Sequence, residues 1–280
     1  MSKGNYSNKE ITTKIYEDRS ETYDQATGKG MESLSKILLR ETTITQNPTC
    51  LDIGSGTGIT SFLLSDQIEN KGKIIGIDIS PSMIEVAKRN AQERGYKNID
   101  FQLGDADQLE FPDSFFDLVI SNMTFHHLPD KKKALQEIHR VLKPGGQVAL
   151  HFNGGPCFKE IVESGLAVAD RYPEFPGFMD AVVEFRDGFL SLEDMVYYME
   201  EIGFDDHITY GRQLVVFVEP ERIPYIGYSW DFWEPGLPLD IRDKVRSELI
   251  DFISERSSHR GFKFLYSTIV SVGKKIKNRT

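Results

Sequence analysis

The chain has 280 residues, 39% hydrophobic and 27% charged, at a net charge of −10, enough length for one large domain with a cover and short for two independent ones. No run approaches the roughly 20 apolar residues of a membrane-spanning helix, and the polar start Met1-Ser2-Lys3-Gly4-Asn5 has no apolar signal core, so a cytoplasmic protein is expected. The acidity is concentrated, since residues 151–240 carry 5 Lys or Arg against 18 Asp or Glu, a balance that repels a phosphate backbone and predicts no nucleic-acid partner.

Residues 8–45 read as helical, and on one continuous helix Tyr16 and Tyr23, seven apart, share a face. From Cys50 onward, short β-like runs alternate with helical patterns, as in a mainly parallel sheet covered on both faces. Cys50-Leu51-Asp52-Ile53 is a strand running into a glycine loop, followed by a helix over 59–68 and an isoleucine-rich strand over 73–79. Ser80-Pro81 supplies an N-cap and a proline at the first helical position, Met83, Ala87 and Ala91 repeat at helical spacing, and Gly95 ends the helix. Strands at Ile99–Leu103 and 116–121, a helix over 131–142, a turn at Lys143-Pro144-Gly145-Gly146 and a strand over 147–152 complete the alternation. Beyond a boundary at 153/154 the pattern loosens into a proline- and aromatic-rich stretch. A helix over 191–202 with Ser191 as N-cap, a β-like run over 208–218, a helix over 240–255 and a strand over 262–272 follow. Cys50 and Cys157 stand far apart, without metal-ligand spacing.

Chemistry concentrates in Asp52-Ile53-Gly54-Ser55-Gly56-Thr57-Gly58, between a strand and a helix, where backbone can approach a ligand and helix N–H groups face it. Asp78 ends the next strand, where a carboxylate can accept from both hydroxyls of a ribose. Dinucleotide loops favour G-x-G-x-x-G with pyrophosphate on the helix N-terminus, but here the spacing is G-x-G-x-G and an acid stands two residues before the first glycine. Such an acid repels a pyrophosphate and suits the ammonium of a methionyl group.

The segment Leu51–Gly58 resembles the first motif of class I S-adenosylmethionine-dependent methyltransferases. Gly76-Ile77-Asp78-Ile79-Ser80-Pro81-Ser82-Met83 is similar to their second motif and Gly104-Asp105-Ala106 to the turn that meets the adenine. Phe116–Asn122 resembles their fourth strand, and Val141-Leu142-Lys143-Pro144-Gly145-Gly146 the turn before the fifth. The resemblance covers residues 16–153 and points to the small-molecule branch, similar to ubiquinone and menaquinone methyltransferases. It implies a Rossmann-like α/β fold with a seven-stranded mainly parallel sheet, helices on both faces and a helical, aromatic lid. It implies S-adenosyl-L-methionine as cofactor and S-adenosyl-L-homocysteine as product. The cofactor-binding set is then Tyr16, Tyr23, Asp52, Gly54, Ser55, Gly56, Gly58, Asp78, Ile79, Met83, Gly104, Asp105, Ala106 and Asn122.

The segment from Tyr16 to Asp24 is similar to the N-terminal aromatic element that folds over the cofactor, where a tyrosine ring attracts the sulfonium. Asn122-Met123-Thr124-Phe125-His126-His127 follows the fourth strand and lacks the Asn/Asp-Pro-Pro-aromatic motif of nucleobase methyltransferases. His127, ahead of His126, is the candidate general base, with Tyr23 a second catalytic candidate. No metal site is expected. The resulting division is an N-terminal cover over 1–48, a cofactor-binding core over 49–153, and a last part over 154–280. That part holds core elements near 191–218 and 262–273 and lid insertions near 154–190 and 219–260. Of 31 aromatic residues, 17 fall in 151–240, which suits an apolar or amine-bearing acceptor of a methyl group on O, N or C. Two alternatives are a quinone or lipid C-methyltransferase touching membrane through Lys274-Lys275-Ile276-Lys277-Asn278-Arg279, and a non-catalytic S-adenosylmethionine-binding protein.

Overall fold

The computed structural model describes residues 8–276. In chain order the elements are α1 (Asn8–Arg19), α2 (Tyr23–Arg40), β1 (Thr49–Ile53), α3 (Ile59–Gln67), β2 (Lys73–Asp78), α4 (Pro81–Arg94), β3 (Ile99–Leu103) and β4 (Phe116–Asn122). There follow α5 (Lys131–Val141), β5 (Leu142–Asn153), α6 (Lys159–Ala169), α7 (Pro176–Asp187), α8 (Leu192–Ile202), β6 (Phe204–Val218), α9 (Ser229–Trp233), α10 (Arg242–Ser254) and β7 (Phe262–Lys275). Short 3-10 turns lie at Phe125–His127, Pro220–Tyr228, Glu234–Gly236 and Leu239–Ile241.

The seven strands form one sheet in the order β3-β2-β1-β4-β5-β7-β6. Pairings β1 with β2, β1 with β4, β2 with β3 and β4 with β5 are parallel. The order reverses direction between β1 and β4, and in such sheets ligands bind in the crevice beyond the carboxyl ends of the strands at that point. Local signals hold where they are strongest. The Ser80 hydroxyl caps α4 by accepting from the Met83 N–H, Pro81 opens the helix, and Gly95 closes it at φ 78°.

Three expectations are corrected. The N-terminal helix is two helices: Ser20 and Thr22 donate their hydroxyls to the carbonyls of Glu17 and Arg19, competing with the helical ladder at the break. Lys143–Gly146 is not a separate turn but a bulge inside β5. Phe116 pairs with Leu142 and Leu118 with Gln147, so three extra residues are looped out, with Gly145 at φ 82°. The loosened stretch after residue 153 contains α6 and α7, whose prolines and aromatic residues hide a helical pattern fixed by packing.

The chain divides into two compact units. The core unit comprises residues 12–152, 192–210 and 269–276. In it Leu38, Leu39, Leu64, Ile68, Ile74, Leu118, Ile120 and Val270 pack α2 and α3 on the sheet, while Phe62, Ile84, Ala87, Ala91 and Phe101 pack α4. Burying each large side chain contributes roughly 1.5–3 kcal/mol. The aromatic unit comprises residues 8–11, 153–191 and 211–268, with α6, α7, α9 and α10 around Phe158, Ile161, Phe178, Trp233 and Leu249. Strands β6 and β7 contribute residues to both units.

Among the described residues, no helix is long and apolar enough to cross a membrane. Of the basic C-terminal stretch, residues 277–279 lie outside the described residues. Lys275 donates to the Leu142 carbonyl at 2.8 Å, and Lys274 stands 3.8 Å from Asp206.

Candidate active site

The glycine loop leaves β1 and bends at once, because the N–H groups of Gly54 and Ser55 both donate to the Ile77 carbonyl of β2, at 2.8 and 2.9 Å. Gly54 has φ 69°, and a Cβ there would lie 2.2 Å from the Thr124 side chain, whose hydroxyl donates to the Gly54 carbonyl at 3.2 Å. Gly56 has φ 53° but faces open space. The two glycines are therefore needed for different reasons. Gly54→Ala is expected to destabilise the fold by about 2–4 kcal/mol through clash and backbone strain. Gly56→Ala should cost only about 1 kcal/mol of stability while weakening cofactor binding, as a melting curve and a titration on the same samples would show. Gly58 begins α3 at φ 95°, and the Ser55 hydroxyl has no hydrogen-bond partner among the described residues.

Two acids flank this loop. Asp52 is 1% exposed; its Oδ2 accepts from the Ser61 hydroxyl at 2.6 Å and its Oδ1 has no hydrogen-bond partner among the described residues. Burial pushes its carboxyl up to about 7, with the charge of Asp78 adding to the effect and the Ser61 hydrogen bonds opposing it. A buried acid with one unmatched oxygen fits a cationic ammonium.

Asp78 accepts from the Gly56 N–H through Oδ2 and from the Ser80 N–H through Oδ1, both at 2.9 Å. Burial raises its pKa. It thus pins the loop while each oxygen keeps a lone pair, the number needed for two ribose hydroxyls.

Beyond Asp78 lies a cavity of about 350 Å³ lined by Ile77, Ile79, Leu103, Gly104, Asp105 and Leu109, among others. Its far wall is fastened from α5. Arg140 donates to the carbonyls of Leu109 and Phe111 at 2.8 Å, and Glu137 accepts from the Leu109 N–H at 2.9 Å. Asp105 accepts from the Asp107 N–H at 3.0 Å. Met83 and Ala106 are buried and do not line this cavity. The Asn122 amide donates to Ser35 at 3.0 Å, within a buried trio with Thr60.

The β4 turn brings the aromatic candidates together. His127 N–H donates to the Thr124 carbonyl, the residue that touches Gly54. Its Nε2 lies 3.0 Å from the Tyr16 hydroxyl, and Tyr16 in turn meets Tyr23 edge-on at 6.0 Å. The pairing of the tyrosines arises across the break between α1 and α2, not along one helix. The His126 and His127 rings are 4.0 Å apart. Burial, reinforced by the charge of Lys131, takes His127 down to about 4, and burial lowers His126 as well. His127 is therefore neutral at physiological pH and weakly basic.

Residues outside the sequence-derived set complete the arrangement. Asp24, in the first turn of α2, accepts from the Thr57 hydroxyl at 2.6 Å and from Asn90 at 3.3 Å, while Asn90 also donates to the Thr57 carbonyl. Arg89 holds Glu21 through two hydrogen bonds. Ser61, Thr124, Glu137 and Arg140 belong with them. Asp24 closes the segment from Tyr16 that resembles the N-terminal aromatic element, and nothing in its spacing marks it as a partner of the glycine loop.

The family described as "Methyltransferase domain" matches residues 44–164. An aklanonic acid methyltransferase of Streptomyces sp. is 31% identical over 208 residues, 70% of this chain and 92% of the relative. A demethylmenaquinone methyltransferase of Lactococcus lactis is 44% identical over 98 residues, 35% of this chain and 39% of the relative. Against the curated relatives it matches most strongly over short stretches, the chain spans about a quarter to two fifths of their length. The crystal structure of YcgJ from Bacillus subtilis superposes with a TM-score of 0.61 at 23% identity, covering 88% of this chain and 99% of the other, a likeness of fold.

Proposed function

Because this chain belongs to the S-adenosylmethionine-dependent methyltransferases of class I, we propose that it transfers a methyl group to a small organic acceptor. The observation that carries the reading is Asp52, a buried carboxylate beside the glycine loop with one oxygen unmatched. Asp52 holds the methionyl ammonium, Asp78 the ribose hydroxyls, and Ile79, Gly104 and Asp105 bound the adenine side. The open face of Gly56 lets the ligand approach the backbone. When bound, S-adenosylmethionine supplies an electrophilic methyl on a sulfonium.

The protein's own contribution is position and exclusion of water. The role assigned to Tyr16 and Tyr23 is to attract the cation through a ring face and a hydroxyl without neutralising it. With its basicity suppressed, His127 orients the Tyr16 hydroxyl rather than removing a proton in bulk. Tyr16→Phe is expected to lower kcat roughly tenfold, the loss of one hydrogen bond of about 1–1.5 kcal/mol, with cofactor affinity within about threefold of wild type. A Tyr16→Phe enzyme with unchanged kcat would remove the pair from the mechanism.

Both named relatives methylate small organic molecules by name, and we assign acceptor choice to the aromatic unit, most of which lies beyond the matched family domain. The direct test is calorimetric titration with S-adenosylmethionine, followed by detection of S-adenosylhomocysteine release over a panel of phenols, quinols, carboxylic acids and amines. Absence of cofactor binding to the intact protein overturns the proposal.

A further inference from the structure

The wall of the cavity beyond Asp78 is held in place from a distant helix. Between β3 and β4 the chain turns at Asp105-Ala106-Asp107-Gln108, where the Gln108 N–H donates to the Asp105 carbonyl at 3.1 Å and the Asp107 N–H to the Asp105 carboxylate at 3.0 Å. These bonds orient the Asp105 side chain only while the turn keeps its shape. The turn leaves through Leu109, 4% exposed, and both backbone groups of Leu109 are bound from α5. Its N–H donates to Glu137 at 2.9 Å and its carbonyl accepts from Arg140 at 2.8 Å.

Glu137 and Arg140 stand three apart on α5 and so share a face. The Arg140 guanidinium grips both oxygens of Glu137 and reaches the Leu109 and Phe111 carbonyls and the Asp113 carboxylate, all at 2.8 Å. Every N–H of its fork is used. The Arg140 carbonyl in turn accepts from the Ser114 N–H at 3.0 Å. Hydrogen bonding to Arg140 holds the Glu137 carboxyl below the usual carboxylate range against its partial burial, so the pair stays ionised through neutral pH. An exposed ion pair contributes little by itself. This one commits two of its bonds to main-chain carbonyls of a single loop, and what it fixes is the path of that loop.

We propose that Arg140, braced by Glu137, is a positioning residue for base recognition: by pinning Leu109 it holds the Asp105 carboxylate where it accepts from the 6-amino group of adenine, and so sets a preference for adenine over hypoxanthine. The inference deepens the proposed function and rests on it in taking this cavity as the adenine site. Leu103, 60% exposed, lines the same cavity as Asp105 and Leu109 and offers an apolar face for a flat ring to cover. Hypoxanthine carries an oxygen where adenine carries its amino group, so a carboxylate fixed there meets a second acceptor in place of a donor. Once the loop is loosened the carboxylate swings aside, and both the attraction and the repulsion fade.

The test is calorimetric titration of the full chain with S-adenosylhomocysteine and with S-inosylhomocysteine, which differs only in carrying hypoxanthine. The wild type should prefer the adenine compound about thirtyfold, one buried hydrogen bond exchanged for a repulsive contact. Arg140→Lys keeps the charge but replaces the fork by a single ammonium; it should weaken S-adenosylhomocysteine about tenfold and leave S-inosylhomocysteine nearly unchanged, so that the preference falls to about threefold. Glu137→Gln preserves shape and should reduce the preference to about tenfold; it carries the test if a melting curve shows Arg140→Lys unfolded. Asp113, 76% exposed, takes only the outer arm of the fork, and Asp113→Ala should leave the preference within about twofold of wild type. A role confined to stability lowers both affinities alike. A preference that stays at the wild-type value in folded Arg140→Lys or Glu137→Gln therefore overturns the inference, as does an equal loss in Asp113→Ala or equal binding of the two compounds by the wild type. A wild type that binds neither compound counts against the proposed function, and the inference falls with it.

Discussion

Asp78→Ala is expected to weaken S-adenosylmethionine binding by two orders of magnitude or more. In the proposed binding mode Asp78 serves the ligand twice. Its free lone pairs accept from the ribose, where two charge-assisted hydrogen bonds are worth roughly 1.5–3 kcal/mol each. Its occupied ones hold the N–H groups of Gly56 and Ser80, fixing both the glycine loop and the start of α4. Asp78→Asn should fall nearly as far, because an amide nitrogen would confront one of those N–H donors. Calorimetric titration of both variants checks this, with apo melting temperatures to exclude unfolding; an affinity within tenfold of wild type would remove Asp78 from the ribose.

The second large effect is a pH dependence seated in Asp52. In the apo protein burial holds this carboxyl at about 7, so near neutrality a large fraction is protonated, whereas pairing with an ammonium requires the ionised form. Affinity should therefore rise with pH, level off above about 7, and fall below it by up to tenfold per unit, with a proton released on binding. Apo stability should run the other way. A native pKa raised above the unfolded value of about 3.9 means that the folded state binds the extra proton. The contribution of Asp52 is thus most favourable below pH 4 and is lost as pH rises from about 4 to 7. Asp52→Asn should flatten both profiles and lower affinity at pH 8. Titrations in buffers of different ionisation enthalpy measure the released proton, and a flat affinity profile from about pH 5.5 to 8 would contradict the assignment. His127, down at about 4, should add no inflection near 6.5.

Tyr16 and His127 show where a sequence reading becomes incomplete. Both residues are visible as chemically capable, yet an imidazole in water titrates near 6.5 and invites the role of base. Its burial beside Lys131 removes that capacity, and burial is a property of packing. Met83 likewise carries the right spacing for a binding wall, while the structure buries it at 1% exposure inside α4's contact with the core.

The sequence by itself determined the α/β alternation, the glycine loop, the capped start of α4 and the acids at the ends of β1 and β2. Each of these depends on dihedral needs, capping hydrogen bonds or periodicity within a few residues. Only the tertiary structure decided that Asp24 clasps Thr57, 33 residues on, that Tyr16 meets His127, 111 residues on, and that Arg140 fastens the loop around Leu109. It alone showed the helices α6 and α7. Those features arise where segments distant in sequence are packed together and water is excluded, and no local pattern records which partner a polar group will find there.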